Sequence, residues 1–201
     1  MILALDGSSI DGPAYTDVVG LARHAPAWLK DTVSVWSTYG LALFAVLMVL
    51  GWWRARRASA TASVTALTVP FVAVVAHGVD AVRKLLVRED RPCRSLRVAP
   101  LDACPASGDW SFPSNHAAIT AAAAVALLFV SRRLGWIAVV AAGAMAASRV
   151  WIGAHYPHDV AAGVVVGVLT VLLVMPAVRR HAGALAERLT VTRLHGLLAV
   201  S

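Results

Sequence analysis

An all-α, integral-membrane helical bundle is the fold this sequence predicts, with about five transmembrane helices and an N-terminal interfacial helix. Three observations lead there. The 201 residues are 59% hydrophobic and only 14% charged, and their mean hydropathy is +0.71. A soluble domain carries nearer ~25% charge. Apolar windows recur at the length that crosses hydrocarbon about 30 Å thick, roughly 20 residues each. The short alternating strands of a closed barrel are missing from the pattern.

The first thirty residues do not read as a signal peptide, because Asp6, Asp11, Pro13 and Asp17 interrupt any long apolar core. Tyr15 to Leu29 reads instead as a short amphipathic helix at the interface. Five spans follow: Ser34 to Trp53, Ala60 to Val82, Asn115 to Val130, Leu134 to Trp151, and Val160 to Val178. Alanine-rich stretches such as Ala121 to Ala124 allow helices to pack closely. No internal repeat or long linker divides the chain, so residues 1–178 read as one membrane-embedded domain. Its active site is expected within 77–159, and residues 179–201 form a peripheral cytoplasmic tail.

An odd number of spans puts the loop from Val87 to Pro113 on the side of the amino terminus. The opposite side carries Arg54, Arg56, Arg57, Arg132, Arg133, Arg179, Arg180, Arg188 and Arg193, with Glu187 as the opposing acid. That side should face the cytoplasm. Cys93 and Cys104 both fall in the loop placed outside, where a disulfide is chemically permitted. Whether they are joined or remain two thiols is open at this level.

Charged residues at the ends of membrane helices are costly and therefore functional candidates, and here they gather in three clusters. The first runs from Lys84 to Pro92. Lys84 and Arg91 are seven apart, which is two turns of one helical face if the helix persists; Pro92 leaves the direction of Arg91 open. Asp80 and His77 extend the same polar stripe, and Asp80 is spaced to pair with Lys84. The second cluster, Ser111 to His116, leads into the third span with Ser114 at the N-cap position. Free N–H groups at such a helix start favour an anion near Ser114 and Asn115, with His116 beside it. The third cluster, Ser148 to Asp159, joins the last two spans. Arg149 can grip a phosphate in bidentate fashion, and Asp159 can orient His155 through one ring nitrogen, leaving the other free to attack. Taken singly, a histidine near a span end is more often interfacial, and arginines commonly snorkel. Their ordered combination is what carries weight.

The three clusters resemble the signature of the type 2 phosphatidate phosphatase superfamily. That pattern is lysine, six residues, arginine-proline; then proline-serine-glycine-histidine; then serine-arginine, five residues, histidine, three residues, aspartate. Asn115 departs from it, standing where glycine is usual. The resemblance covers Lys84 to Asp159 strongly and the rest of the chain through its helical layout.

The resemblance implies that Lys84, Arg91 and Arg149 hold the phosphoryl group, with Ser114, Asn115 and nearby N–H groups assisting. His155 would be the nucleophile, Asp159 its orienting partner and His116 the general acid. Neither metal nor cofactor is expected, since an imidazole nucleophile and three cations supply the chemistry. His158 adjoins Asp159 but does not match the nucleophile's spacing, so it reads as a neighbour.

The compact layout and the run His155-Tyr156-Pro157-His158-Asp159-Val160 resemble bacterial undecaprenyl-diphosphatases. The implied substrate is a polyprenyl diphosphate, cleaved on the extracytoplasmic side of the plasma membrane. Phosphatidic acid, phosphatidylglycerol phosphate and other polyprenyl phosphates are alternatives. A non-enzymatic lipid transporter or flippase is the reading of another class. Membrane lipids are the expected partners and nucleic acid is not; oligomeric state is undetermined.

Overall fold

A computed structural model of the chain describes residues 3–192 and 195–198; Arg193, one of the basic residues used for orientation, lies outside them. In chain order the elements are β1 (Leu3–Leu5), α1 (Ser8–His24), α2 (Ala27–Tyr39), α3 (Leu41–Ala55), α4 (Ala60–Leu86), β2 (Val87–Glu89), α5 (Pro92–Ser95), α6 (Asn115–Val130), α7 (Arg132–Trp151) and α8 (Pro157–Thr190). A 3-10 turn, His195–Leu197, follows. Helix starts obey local chemistry. Ser59 caps α4 by accepting a hydrogen bond from the Ala62 N–H at 3.1 Å, and α8 opens on Pro157, whose missing N–H costs nothing there.

By length and composition, α4, α7 and α8 can each cross a membrane, and α2 and α3 together form a fourth candidate. The 16-residue apolar helix α6 is the fifth. The chain is thus an integral-membrane helical bundle. At its centre stands α6, packed against α4, α7 and α8. Its buried faces are mostly alanine, from Ala117 to Ala126, so neighbouring backbones approach closely. Two glycines of α8 complete the fit. A Cβ at Gly163 would lie 2.5 Å from the Ser114 carbonyl oxygen, and one at Gly167 would overlap the Ala118 carbonyl. Larger side chains, including Phe44, Leu47, Val69, Leu127 and Met175, fill the remaining core.

Four expectations are corrected or refined. The first span is not one straight helix: α2 and α3 meet at 52° around Gly40, where a side chain would strike Trp36 and Met145. This bend lets buried Ser37 reach the end of α7. The second helix stops at Leu86, short of Arg91, because Val87–Glu89 extends and pairs in parallel with Leu3–Leu5. The amino-terminal helix covers Ser8–His24 rather than Tyr15 to Leu29, with Tyr15 and Val19 completely buried and Leu21 exposed. The segment read as a separate tail begins as a continuation of α8 to Thr190, with Ala182 and Ala186 packed with Val64 and Leu198. Cys93 and Cys104 are joined in a disulfide, with their Cα atoms 6.2 Å apart.

Candidate active site

The bundle is antiparallel, so the carboxyl ends of α4 and α7 and the amino ends of α6 and α8 meet at one end. Lys84, His116, Arg149 and Asp159 come from those four ends. Arg91 and His155 come from the connections beside them. Every residue predicted for the site therefore lies in one region, and Arg91, whose direction Pro92 left open, reaches it from an extended segment.

Lys84 donates to the Trp110 carbonyl at 2.8 Å. Arg91 precedes Pro92 in extended conformation, which carries its side chain inward. Its Nε donates to the Asp109 carbonyl at 3.0 Å, and its Nη2 pairs with Asp109 Oδ1 at 2.9 Å. The same carboxylate oxygen lies 3.9 Å from Lys84 Nζ. Asp109 thus already supplies an anion to two of the three cations. Arg149 is held from the far side by Ser37, whose Oγ accepts from Nη1 at 2.8 Å. The predicted Asp80–Lys84 pair does not form as a hydrogen bond. Asp80 is buried with both oxygens unpartnered among the described residues, while the lysine turns to Trp110 and Asp109.

His155 is placed by a reversal at Gly153, whose φ of 81° is left-handed and suits glycine. Buried Tyr15 reaches across from α1 and donates to the Gly153 carbonyl at 3.0 Å. The imidazole is 2% exposed. Burial pushes its pKa down to about 3, opposed by the Asp159 carboxylate, so the ring is neutral near neutral pH. Its Nε2 lies 2.9 Å from Arg91 Nη1, which makes that nitrogen the acceptor and places the ring proton on Nδ1. Nδ1 stands 3.4 Å from Asp159 Oδ2. Ser111 Oγ lies 3.5 Å from Nδ1 and donates to the same Asp159 oxygen, which also accepts from the Tyr156 N–H at 2.9 Å. Asp159 meets the ring within a shared network rather than by one short bond.

Ser114 occupies the N-cap position of α6, yet its hydroxyl makes no capping bond. Among the described residues Ser114 Oγ, Asn115 Oδ1 and Arg149 Nε are all buried without hydrogen-bond partners. A buried polar atom left unpaired costs about 1–3 kcal/mol, so a cluster of them marks a place prepared for a polar ligand. His116, in the first turn of α6, lies in the field of Arg149, Lys84 and Arg91. Together these groups provide a cationic recess, a neutral imidazole and a second imidazole beside it. That set suits transfer of a phosphoryl group.

Several participants escaped the sequence reading. Ser37 and Tyr15 lie far from the motifs and Asp109 in an unpatterned loop, and only folding shows their proximity. Glu89 and Ser111 lie within the first and second clusters, but their spacing carries no role. His158 is more than a bystander: its Nδ1 lies 2.8 Å from Asp11 Oδ1 and its Nε2 3.0 Å from Glu89 Oε1. Glu89, His158 and Asp159 are also the described group whose ligand atoms, all within 4.8 Å of one another, could hold a metal.

Comparison with known proteins agrees with this geometry. Undecaprenyl-diphosphatase BcrC of Bacillus subtilis is 29% identical over 156 residues, 77% of each chain. Decaprenylphosphoryl-5-phosphoribose phosphatase of Mycobacterium tuberculosis is 42% identical over 96 residues, 47% of this chain and 51% of that protein. A solved transmembrane PAP2 type phosphatidylglycerolphosphate phosphatase from Bacillus subtilis shares the fold, with a TM-score of 0.52 and 19% identity. The match covers 90% of this chain and 88% of the other. The sequence profile of the PAP2 superfamily matches residues 62–182, a stretch containing all three clusters, and the chain belongs to that superfamily.

Proposed function

We propose that the chain is a membrane lipid phosphatase that hydrolyses a polyprenyl diphosphate, with undecaprenyl diphosphate the leading substrate. The observation that carries the reading is a buried, neutral His155 with an unprotonated Nε2, set among phosphate-binding cations. Similarity to an undecaprenyl-diphosphatase over 77% of both chains favours a diphosphate over a monoester.

In the proposed reaction, Lys84, Arg91 and Arg149 neutralise the terminal phosphoryl oxygens, assisted by Ser114 Oγ, Asn115 and the first N–H groups of α6. His155 Nε2 attacks phosphorus in line. The bond to the bridging oxygen breaks, and the lipid monophosphate leaves as His155 becomes phosphorylated. Asp159 accepts the growing charge on Nδ1–H. Water then attacks the phosphohistidine and gives its proton to His116, releasing phosphate and restoring the ring. No metal takes part in this scheme. The site opens on the extracytoplasmic side of a bacterial plasma membrane, with the arginine-rich end of the bundle in the cytoplasm.

The test uses purified protein in detergent with a chelator present. Phosphate release is compared for undecaprenyl diphosphate, phosphatidic acid and phosphatidylglycerol phosphate, with His155→Ala in parallel. Preferential cleavage of the diphosphate and a loss of at least ~10³-fold in the variant are expected. Preference for another lipid would replace the substrate. Undiminished activity in the variant would remove the nucleophile, and lipid transport without phosphate release would favour a flippase.

A further inference from the structure

We propose a divalent cation site of the zinc type, formed by Glu89, His158 and Asp159 beside the cationic recess and braced by Asp11. It adds no step to the hydrolysis proposed above; it staples the amino-terminal segment to the start of α8. Distances are the first support. His158 Nε2 lies 3.0 Å from Glu89 Oε1 and 3.4 Å from Asp159 Oδ1. Zinc holds nitrogen and oxygen ligands at about 2.1 Å, which in a tetrahedron sets donor atoms roughly 3.4 Å apart. Two sides of the ligand triangle therefore already suit an ion. The carboxylate oxygens of Glu89 and Asp159, at most 4.8 Å apart, close the third side by a small rotation.

An unused oxygen is the second support. Asp159 is fully buried. Its Oδ2 accepts from Ser111 Oγ and from the Tyr156 N–H. Its Oδ1 is turned toward His158 Nε2 and has no hydrogen-bond partner among the described residues. A buried carboxylate oxygen without a donor is costly, and a cation on its lone pair removes that cost. Glu89 is equally withdrawn from water, its side chain 1% exposed. The cations of the recess are directed to other partners: Lys84 and Arg91 to Asp109, Arg149 to Ser37.

The third support is how the ligands are held. Asp11 leaves helical conformation within α1, at φ −142° and ψ 27°. Its Oδ1 accepts from His158 Nδ1 at 2.8 Å, and its Oδ2 accepts the His158 backbone N–H at 2.8 Å. A carboxylate on Nδ1–H fixes the tautomer and leaves the Nε2 lone pair for a metal, the arrangement that ligating histidines usually have. Phe112 and Tyr156 stack near the ring, with centroids at 6.0 and 5.4 Å, and fix its plane. Glu89 is set by its backbone, which pairs opposite Leu5 and whose carbonyl accepts from the Ser111 N–H at 2.8 Å. Gly7 makes room for the carboxylate, since a Cβ there would overlap Glu89 Oε1.

Donor chemistry selects the ion. One imidazole nitrogen with two carboxylate oxygens suits zinc better than magnesium or calcium, which take shells of oxygen. The side chains of His158 and Asp11 are partly exposed, so an ion and a water that completes its shell can enter there. Bound zinc would join β2 to α8 directly and α1 to both through His158. It would also pin Asp159 by Oδ1 while Oδ2 stays toward His155.

The test uses the full chain in detergent, stripped with chelator and then given zinc alone. Metal retained after dialysis should reach one ion per chain, and zinc should raise the thermal-unfolding midpoint, with chelator reversing the rise. Asp11→Asn should weaken zinc binding by about 10- to 100-fold. Glu89→Gln should abolish the tight site. X-ray absorption of the zinc-loaded parent, which depends on no variant folding, should show one imidazole with oxygen ligands only. No tight zinc in the parent, full binding by Glu89→Gln, or a shell containing two imidazoles overturns the proposal. Because binding is read without turnover, a chain that takes up zinc here and hydrolyses none of the lipids would fault the phosphatase reading alone.

Discussion

At the level of single residues, the site sets cations around one imidazole that burial keeps neutral. His155 is held neutral by burial, with a pKa near 3 against an ordinary value of 6.5. Because the folded value lies below the unfolded one, its contribution to stability is full above about pH 6.5 and is lost as pH falls toward 3. Thermal unfolding in detergent should show destabilisation through that window, with a shallower slope for His155→Asn; equal slopes would refute the assignment. In the proposed mechanism, His116 bears on the leaving group. A diphosphate departs as a stable lipid phosphate, whereas a monoester departs as an alcohol that needs a proton, so His116→Ala should impair monoester cleavage more. Equal losses on the two substrates would count against a general-acid role. Asp109 is half exposed and paired to Lys84 and Arg91, where an incoming phosphate must compete with it. Asp109→Asn should strengthen inhibition by free phosphate by roughly 3- to 10-fold, corresponding to an exposed ion pair of about 1 kcal/mol. Unchanged inhibition would show that phosphate binds without displacing that carboxylate.

At the level of elements, the positions of the helices were legible because apolar length is a strong signal in a membrane chain. Their ends were less so. Pro92 warned that α4 would not carry Arg91, yet no pattern in Val87–Glu89 announced a strand partner more than eighty residues upstream in sequence. The bend at Gly40 was equally hidden, since both α2 and α3 are apolar enough to read as one span. Close packing of α6 on α8 was foreseeable from the alanines, but the glycines that permit it acquire meaning only from their contacts. Gly167→Val should force these helices apart at the Ala118 carbonyl and destabilise the protein by about 1–3 kcal/mol. Thermal unfolding checks this, and Gly183→Ala, where the added carbon meets nothing within 4 Å, provides the comparison expected to stay near the parent.

At the scale of the whole molecule, the motif residues lead to one end of the bundle, while the groups packed around them there stayed invisible. Lys84, Arg91, Ser114, Asn115, His116, Arg149, His155 and Asp159 were chosen from spacing and resemblance. Ser37, Tyr15 and Asp11 bring no motif with them, Glu89 lies in the first cluster without a role of its own there, and their contacts depend on how distant segments fold together. One dimension of the bundle has a further consequence. With 16 residues, α6 is about 24 Å long, short of the roughly 30 Å of hydrocarbon its neighbours can cross. Enclosed by α4, α7 and α8, it leaves the matching of lipid thickness to those longer neighbours. His116 stands at one of its ends. On the proposed reading, the depth at which a substrate headgroup meets that histidine is therefore set by helix packing inside the protein and not by the thickness of the host bilayer.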